Sequence, residues 1–202
     1  PSGRAESSTR PSMALTGTAP VIATPLPFAA APPIASTSIV APSVAVERVL
    51  LRQGVGPGKI VRIPYGFDFD RLSPRSAKAE HVALWGQHSG LRLATFARLH
   101  PEKGHRYMVE ALAKLAPAGI RATWLVVGDG PARRAVEQQV HQMHLEAQVR
   151  FLGWRTDALD VISASDVVIQ PTLHEAFSQV MVETMALGRS LVISNVSGVE
   201  DV

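Results

Sequence analysis

The chain has 202 residues and a mass of 21.6 kDa, enough for one compact domain of about 150 residues with additional sequence. Hydrophobic residues make up 46% and charged residues 18%, which excludes a charge-rich disordered chain, and the lack of cysteine excludes disulfides, thiol nucleophiles and cysteine-ligated metals. The net charge is +3, the basic residues are scattered along the chain, and aromatic residues make up only 5%. Nucleic acid is therefore not an expected partner.

The first 37 residues differ in composition from the rest of the chain. They are dominated by Pro, Ala, Ser and Thr, and Glu6 is their only acidic residue. Such a composition, without helical or strand periodicity, is typical of poorly ordered segments, and disorder is the expectation for residues 1–37. Prolines within residues 14–35 also exclude a membrane-spanning helix in the most apolar part of this segment.

From residue 38 onward, short β-rich apolar runs alternate with segments of helical periodicity. This alternation implies an α/β fold in which a parallel sheet is covered by helices. Loop formers and charged residues predict a connector over residues 65–90. The predicted strands cover residues 39–41, 60–63, 91–97, 123–127, 149–152, 167–170 and 191–194, and the predicted helices residues 44–52, 104–116, a segment opening at Pro131, 158–164 and 177–187. Two of these helices have predicted apolar stripes, formed by Met108, Ala111, Leu112 and Leu115 and by Ala132, Val136, Val140 and Met143.

The loop after the strand at residues 91–97 has a pattern that suits an anion. Ligands of open parallel sheets bind beyond the carboxyl ends of the strands. Arg98 and Lys103 offer two cations there, and Gly104 allows a close backbone approach at the start of a helix. This pattern favours a diphosphate site, and the alternative is a solvated basic loop.

The turn at residues 127–131 is a second candidate. Gly128 and Gly130 offer backbone amides to an anion near a helix N-terminus. A dinucleotide fingerprint would need a third glycine where Arg133 stands, which disfavours an oxidoreductase. The alternative is a plain strand-to-helix turn.

Two acidic residues, Glu175 and Glu183, are eight positions apart around the start of a predicted helix. Eight helical residues rise about 12 Å, more than the roughly 5 to 9.5 Å between the two carboxyl groups of glycosidases, so a hydrolytic pair is not expected. The two carboxylates could accept hydrogen bonds from hydroxyls at two ends of one long ligand. The amides of residues 177–179 could face a phosphate between them. The alternative is that one acid stabilises a helix N-terminus and the other is solvated.

Three weaker patterns remain. The segment 153–155 after a predicted strand could contact a nucleotide base through its backbone, or could be an ordinary turn. Asp68 and Asp70 match an Asp-x-Asp metal pair only superficially, since the connector offers no further oxygen ligands. His141 and His144 lie three positions apart without a third ligand, so no metal site is expected.

Taken together, these motifs resemble those of the retaining glycosyltransferases of family four, which belong to the group 1 glycosyltransferases. The resemblance covers residues 38–202 and implies the carboxyl-terminal, nucleotide-sugar-binding domain of a glycosyltransferase-B fold, with a Rossmann-like parallel sheet and helices on both faces. It also implies that most of the acceptor-binding domain and the end of this domain lie outside the sequence. The segments that carry it are residues 39–43, 59–70, 97–104, 127–131, 151–153, 175–183 and 186–188.

The resemblance also implies roles for individual residues. Arg98 and Lys103 would hold the donor diphosphate and stabilise the departing nucleotide without a metal or other cofactor. Glu175 would contact the transferred sugar, and Glu183 would bind the ribose. Leu152 and Gly153 would line the base pocket, and the backbone around Phe177 and Ser178 would hold the hydroxyls of the sugar or the phosphate. Gly128 and Gly130 are the remaining predicted substrate-binding residues. The sequence departs from the family pattern at residues 175–178, which read Glu-Ala-Phe-Ser instead of Glu-Gly-Phe-Gly, and at residues 64–66, which read Pro-Tyr-Gly instead of Pro-Asn-Gly.

The function implied is that of the donor-binding part of a retaining hexosyltransferase. Its partners would be a nucleotide-diphosphate sugar and a glycan, lipid or small-molecule acceptor. The expected location is the cytoplasm, and peripheral membrane contact through the missing domain is left open. The alternatives are a nucleotide-sugar epimerase of the same fold and a nucleotide-binding fragment without catalysis.

Overall fold

The structure is a computed structural model that describes residues 38–86 and 90–200. The disorder predicted for residues 1–37 lies outside the described residues. The strands within them are β1 (Ile39–Ala41), β2 (Ile60–Arg62), β3 (Leu91–Phe96), β4 (Ala122–Val127), β5 (Val149–Gly153), β6 (Val167–Gln170) and β7 (Ser190–Ile193). The α-helices are α1 (Val44–Arg52), α2 (Ala79–Val82), α3 (His105–Leu115), α4 (Arg133–Gln142), α5 (Ala158–Ala164) and α6 (Gln179–Ala186).

The larger sheet of the described chain has five strands in the order β5-β4-β3-β6-β7, and all neighbouring pairs are parallel. Because the strands are parallel, their carboxyl ends share one edge of the sheet. The order places β3 at the centre, with β4 on one side and β6 on the other. The loops after β3, β4, β5 and β6 therefore meet at this edge.

Both faces of this sheet are covered by helices, because successive strand residues point to opposite faces. On one face, Trp124 and Val126 pack with Met108 and Leu112 of α3 and with residues of α4. On the other face, Leu125 packs in a separate cluster with residues of α5 and with Trp85. The α/β fold with a Rossmann-like parallel sheet and helices on both faces is thus confirmed.

A second, two-stranded sheet pairs β1 with β2 in parallel register, Val40 opposite Val61. Helix α1 connects these two strands. The Ser43 side chain accepts a hydrogen bond from the amide of Val46, which caps the helix at its N-terminus. The strand–helix–strand beginning predicted from residue 39 is confirmed.

The connector contains structure that the sequence did not predict. Helix α2 is followed by a 3-10 turn at Ala83–Trp85. Trp85 is buried, and its indole nitrogen donates a hydrogen bond of 3.0 Å to the carbonyl of Leu93. Burial of this large aromatic side chain against β3 stabilises a turn that local sequence signals do not show.

The buried stripes differ in detail from the predicted ones. In α3 the buried face consists of His105, Met108, Val109 and Leu112, and Ala111 lies on the exposed side. Beyond α4, Met143 is exposed and Leu145 is buried in its place. Both differences have the same cause. The rotation of a helix about its axis relative to the sheet decides which side of its apolar stripe is buried.

Candidate functional site

The loop after β3 contacts the loop after β6. Residues Pro101–Lys103 form a 3-10 turn, and Lys103 Nζ lies 3.0 Å from Glu175 Oε2. The amide of Leu173 donates a hydrogen bond of 2.7 Å to the carbonyl of Glu102. A predicted diphosphate-binding cation and a predicted sugar-binding carboxylate are therefore in direct contact.

Position 104 requires a glycine for a reason that the sequence did not reveal. Its φ of +68° lies in the left-handed region, and a Cβ atom built on it would lie 1.8 Å from the carbonyl oxygen of Pro171. Any side chain here would collide with the backbone of the loop after β6. The close approach expected between Gly104 and a ligand is thus, in this structure, an approach to Pro171.

Arg98 lies at the start of the same loop. Its side chain is 67% exposed and its guanidinium lies 3.6 Å from the carboxylate of Glu102. It lines a cavity of about 460 Å³ at the carboxyl ends of β3, β4 and β5. The cavity is lined by Phe96, Ala97, Arg98, Val127, Gly128, Asp129, Trp154, Arg155 and Ala158.

The glycine turn after β4 forms part of the cavity wall, but its amides are already used. The amide of Gly128 donates to the carbonyl of Gly153 at 2.8 Å, and that of Gly130 donates to Asp129 Oδ1 at 2.7 Å. Cβ atoms at Gly128 and Gly130 would lie 2.0 and 2.5 Å from the carbonyl oxygens of Ala97 and Leu99. These glycines allow the loops after β3 and β4 to pack closely, and their predicted contact with substrate stays a prediction.

The residues after β5 are divided between core and cavity. Leu152 packs against the buried cluster that contains Trp85 and Leu125, and Gly153 bonds to Gly128. Trp154, by contrast, is 77% exposed at the cavity wall. The predicted contact of Leu152 and Gly153 with a base stays a prediction. In this segment, the side chains that line the cavity are those of Trp154 and Arg155.

Arg155 is held by a small network that sequence analysis missed. Its guanidinium donates to both carboxylate oxygens of Asp157, at 2.8 and 2.5 Å. The Asp157 carboxylate also lies 3.0 Å from Nε2 of His81, a buried residue of α2. The hydrogen bonds from Arg155, with that from His81, lower the pKa of Asp157 to about 2. Only the Arg-x-Asp spacing signalled this pair in the sequence.

Helix α6 begins one residue after Ser178, so Glu175 lies in a loop and Glu183 in the helix. The Ser178 hydroxyl accepts a hydrogen bond from the amide of Met181 and acts as the N-cap. Phe177 contacts the aromatic rings of Tyr65 and Phe67 in the connector. The predicted sugar contacts of Phe177 and Ser178 stay predictions.

Glu183 carries a carboxylate that is partly withdrawn from water. Burial raises its pKa above the usual value. No side-chain partner for it is found within residues 38–86 and 90–200. A half-buried carboxylate without a side-chain donor suits a hydroxyl-bearing ligand, because such a ligand could donate hydrogen bonds to it.

His105, the first residue of α3, is only 2% exposed. Neither ring nitrogen has a hydrogen-bond partner among the described residues. Burial, and then the charge of Lys103, lower the pKa of His105 to about 4. The His105 ring is therefore neutral near pH 7 and adds no positive charge beside that of Lys103.

Within the described part of the chain, no three His, Asp or Glu side chains are grouped so that they could hold a metal ion. None of the helices in those residues has the length and apolarity needed to cross a membrane.

Comparison with known proteins agrees with this arrangement. The chain is 34% identical to the 2-deoxystreptamine glucosyltransferase of Streptomyces kanamyceticus, over 69% of its own length and 37% of the relative. It is 27% identical to the GDP-mannose-dependent alpha-(1-6)-phosphatidylinositol dimannoside mannosyltransferase of Mycobacterium tuberculosis, over 73% of this chain and 39% of the relative. The chain thus spans well under half the length of these curated relatives.

Among solved structures, Anabaena Alr3699/HepE in complex with UDP and glucose is similar with a TM-score of 0.71 and 26% identity, covering 81% of this chain and 45% of that one. The family model described as "Glycosyl transferases group 1" matches residues 90–202, which contain the whole five-stranded sheet and the predicted site residues. By this match, the chain belongs to the group 1 glycosyltransferases.

Proposed function

We propose that this chain is the donor-binding part of a retaining hexosyltransferase that transfers a hexose from a nucleoside-diphosphate sugar to a glycan, lipid or small-molecule acceptor. The observation that carries the proposal is the order of features along the sheet edge. The cavity lies at the ends of β3, β4 and β5 and includes Arg98, Lys103 follows further along the loop after β3, and Glu175 follows β6.

This order fits the three parts of a nucleotide sugar. A base would occupy the cavity beside Trp154, and the diphosphate would lie at the central cations. The hexose would then extend towards Glu175, which accepts hydrogen bonds from hydroxyls. Glu183, with its desolvated carboxylate, is proposed to bind the ribose hydroxyls.

The relatives support a nucleotide-sugar donor without fixing its base. The mycobacterial relative is described as GDP-mannose-dependent, and the Anabaena structure contains UDP and glucose. Since the chain spans only 37% and 39% of the two curated relatives, the acceptor class is part of the proposal and not of the comparison. A cytoplasmic location belongs to the proposal in the same way.

In the proposed reaction, the bond between the anomeric carbon and the diphosphate oxygen breaks, and a bond to the acceptor oxygen forms on the same face. The acceptor hydroxyl proton passes to the leaving diphosphate. Arg98 and Lys103 stabilise the negative charge that develops on that diphosphate, so the proposal assigns this role to side chains and not to a metal. This mechanism requires no protein nucleophile.

The test is a thermal melt of the chain alone and with UDP, GDP and ADP, each with and without its sugar. Ligand at 100 times its Kd stabilises a protein by about 2.7 kcal/mol, which at this size raises Tm by roughly 5 to 10 °C. We expect such a shift with one nucleotide, which would identify the base. A cooperative melt that none of the nucleotides shifts would contradict the proposal.

A further inference from the structure

Four aromatic side chains form a continuous strip between the connector and the loop before α6. The ring centroids of Tyr65 and Phe177 are 5.3 Å apart, those of Phe67 and Phe177 6.0 Å, and those of Phe67 and Phe69 6.2 Å. Aromatic residues make up only 5% of the chain, so this is a local concentration. We call Tyr65, Phe67, Phe69 and Phe177 the aromatic strip.

The connector forms the strip because of its alternating sequence. Tyr65, Phe67 and Phe69 are separated by Gly66 and Asp68, and the chain between β2 and the turn at residues 69–72 has no helical structure. In an extended chain, alternate residues point to the same side. The backbone amide of Arg71 donates to Asp68 Oδ1 at 3.4 Å, which helps to end the extended segment at a turn.

The strip is more exposed than a packing contact requires. Phe67 and Phe177 are partly buried, and their contact alone would attach the connector to the loop before α6. The outer members extend into solvent, since Tyr65 is 48% and Phe69 62% exposed. Exposed aromatic side chains grouped in this way are typical of binding surfaces.

The neighbours of the strip define the ligand chemistry. Phe177 is two residues from Glu175, whose carboxylate contacts Lys103. A pyranose ring has an apolar face of C–H bonds and a rim of hydroxyl groups. Its C–H bonds are attracted to the electron-rich face of an aromatic ring, and its hydroxyls donate to a carboxylate. The rings are tilted against one another by 28° to 56°, so single aromatic faces are presented near the Glu175 loop, and an aromatic face with a nearby carboxylate matches both parts.

We infer that the aromatic strip binds the C–H face of a pyranose ring, with Tyr65 and Phe69 as its outer contacts. The inference rests on the proposed function, because a sugar donor and a sugar acceptor are the two sources of such a ring. The transferred hexose and an acceptor sugar offer the same chemistry to the strip, and only their covalent link to the nucleotide distinguishes them.

The experiment measures two affinities separately. Isothermal titration gives the Kd of the nucleotide that shifts the thermal melt and of its nucleotide sugar. Saturation-transfer NMR, in the presence of that nucleotide, uses the methyl glycosides of glucose, galactose, mannose and N-acetylglucosamine. We expect saturation to be strongest at the ring C–H protons of one glycoside.

The variants are Tyr65→Leu and Phe69→Leu, which keep apolar volume but remove the aromatic face, with Tyr65→Phe as the conservative control. Tyr107→Leu removes an exposed tyrosine of α3 outside the strip and is the matched control. Both leucine variants should lower Tm by at most a few degrees, because each replaced ring is about half exposed and makes one aromatic contact within the strip. They should weaken sugar binding at least fivefold and leave the Kd of the free nucleotide unchanged, whereas both controls should change neither.

The source of the ring follows from which probe is affected. Weaker binding of the nucleotide sugar assigns the strip to the transferred hexose, and loss of methyl glycoside saturation assigns it to an acceptor sugar. Two outcomes overturn the inference alone while nucleotide binding stays normal. In the first, both leucine variants leave the glycoside saturation and the Kd of the nucleotide sugar unchanged. In the second, no glycoside shows saturation and the variants do not change the Kd of the nucleotide sugar. Absence of nucleotide binding by the unaltered chain overturns the proposed function, and the inference falls with it.

Discussion

Lys103 and Glu175 are 72 positions apart in the sequence, yet Lys103 Nζ lies 3.0 Å from Glu175 Oε2. Both side chains are largely buried, at 21% and 16% exposure. The carboxylate pairs with the cation that the proposal assigns to the diphosphate. The contact joins the residue proposed to bind the diphosphate to the residue proposed to bind the sugar, so under the proposal a bound donor would share or replace it.

Substitutions in this pair should have opposite effects on nucleotide affinity. Lys103→Ala should weaken binding of the nucleoside diphosphate at least tenfold, since a charge-assisted hydrogen bond contributes about 1.5 to 3 kcal/mol. Glu175→Gln should strengthen it, because Lys103 is then no longer neutralised. Titration of both variants and of the double variant tests this, and weaker nucleotide binding by Glu175→Gln would contradict it. In the full-length enzyme, Lys103→Ala should lower turnover by orders of magnitude.

Glu183→Gln should raise stability and lower affinity. The pKa of Glu183 is raised by burial, so its folded state favours the protonated form and its charge near pH 7 destabilises the fold. That penalty grows as pH rises through the raised pKa, and the amide removes it. We therefore expect a higher Tm without ligand and a smaller Tm shift with nucleotide. A variant that binds the nucleotide as well as the unaltered chain would rule out the ribose role.

His105 should make stability depend on pH in a defined window. Its pKa is lowered to about 4 in the folded chain, against about 6.5 when unfolded, so the unfolded state binds the proton first. Stability is full above pH 6.5 and falls as pH decreases from 6.5 to 4. At pH 5 the loss relative to neutral pH is about 2 kcal/mol. Denaturant unfolding of the unaltered chain and of His105→Phe should differ by this amount in their pH dependence; parallel curves would exclude the linkage.

Gly104→Ala should cost more stability than Gly188→Ala. The two glycines have nearly equal φ angles of +68° and +66°, but only Gly104 has a backbone atom in the way of a Cβ. The left-handed conformation costs about 1 to 2 kcal/mol in both variants. The collision with Pro171 should add about 1 to 3 kcal/mol in the first alone. Urea unfolding measures the two losses of unfolding free energy. Equal losses would show that the loop after β3 can move away from Pro171 without cost.

Asp166→Asn should lower stability without changing nucleotide affinity. Asp166 precedes β6, at the edge opposite the site, and the Arg92 guanidinium donates to Oδ1 and Oδ2 of its carboxylate. These hydrogen bonds lower the pKa of Asp166, so its contribution is present above about pH 4 and is lost as pH falls further. We expect a loss of about 1 to 2 kcal/mol at pH 7, because the pair is partly exposed. A change in nucleotide Kd would show that the effect reaches the site.

Most of the sheet was predictable because its strands are strongly patterned. The run at β4 is buried along its whole length, and its apolar β-branched sequence indicates this without tertiary information. The turn at Trp85 was not predictable, because it forms only when the indole nitrogen reaches the carbonyl of Leu93. Position 111 was assigned to the wrong side of α3 for a similar reason, since local periodicity does not give the orientation of a helix on the sheet.

The site was predictable as a set of loops but not as a set of contacts. The positions of Arg98, Lys103 and Glu175 after strands placed them at one edge of a parallel sheet. The sequence did not show that Lys103 and Glu175 pair with each other, or that His81 contacts Asp157 behind the cavity wall. These contacts join segments far apart in the chain.

By itself, the sequence determined the α/β class, the alternation of elements and the loops that carry the chemistry, because periodicity and turn residues act locally. The tertiary structure decided which charges neutralise one another, which carboxylate is desolvated and which glycines are required by a neighbouring backbone. The physical reason is distance. Electrostatic and desolvation energies depend on separations of a few ångströms in space, and positions along the chain set these separations only after the sheet has brought its loops together.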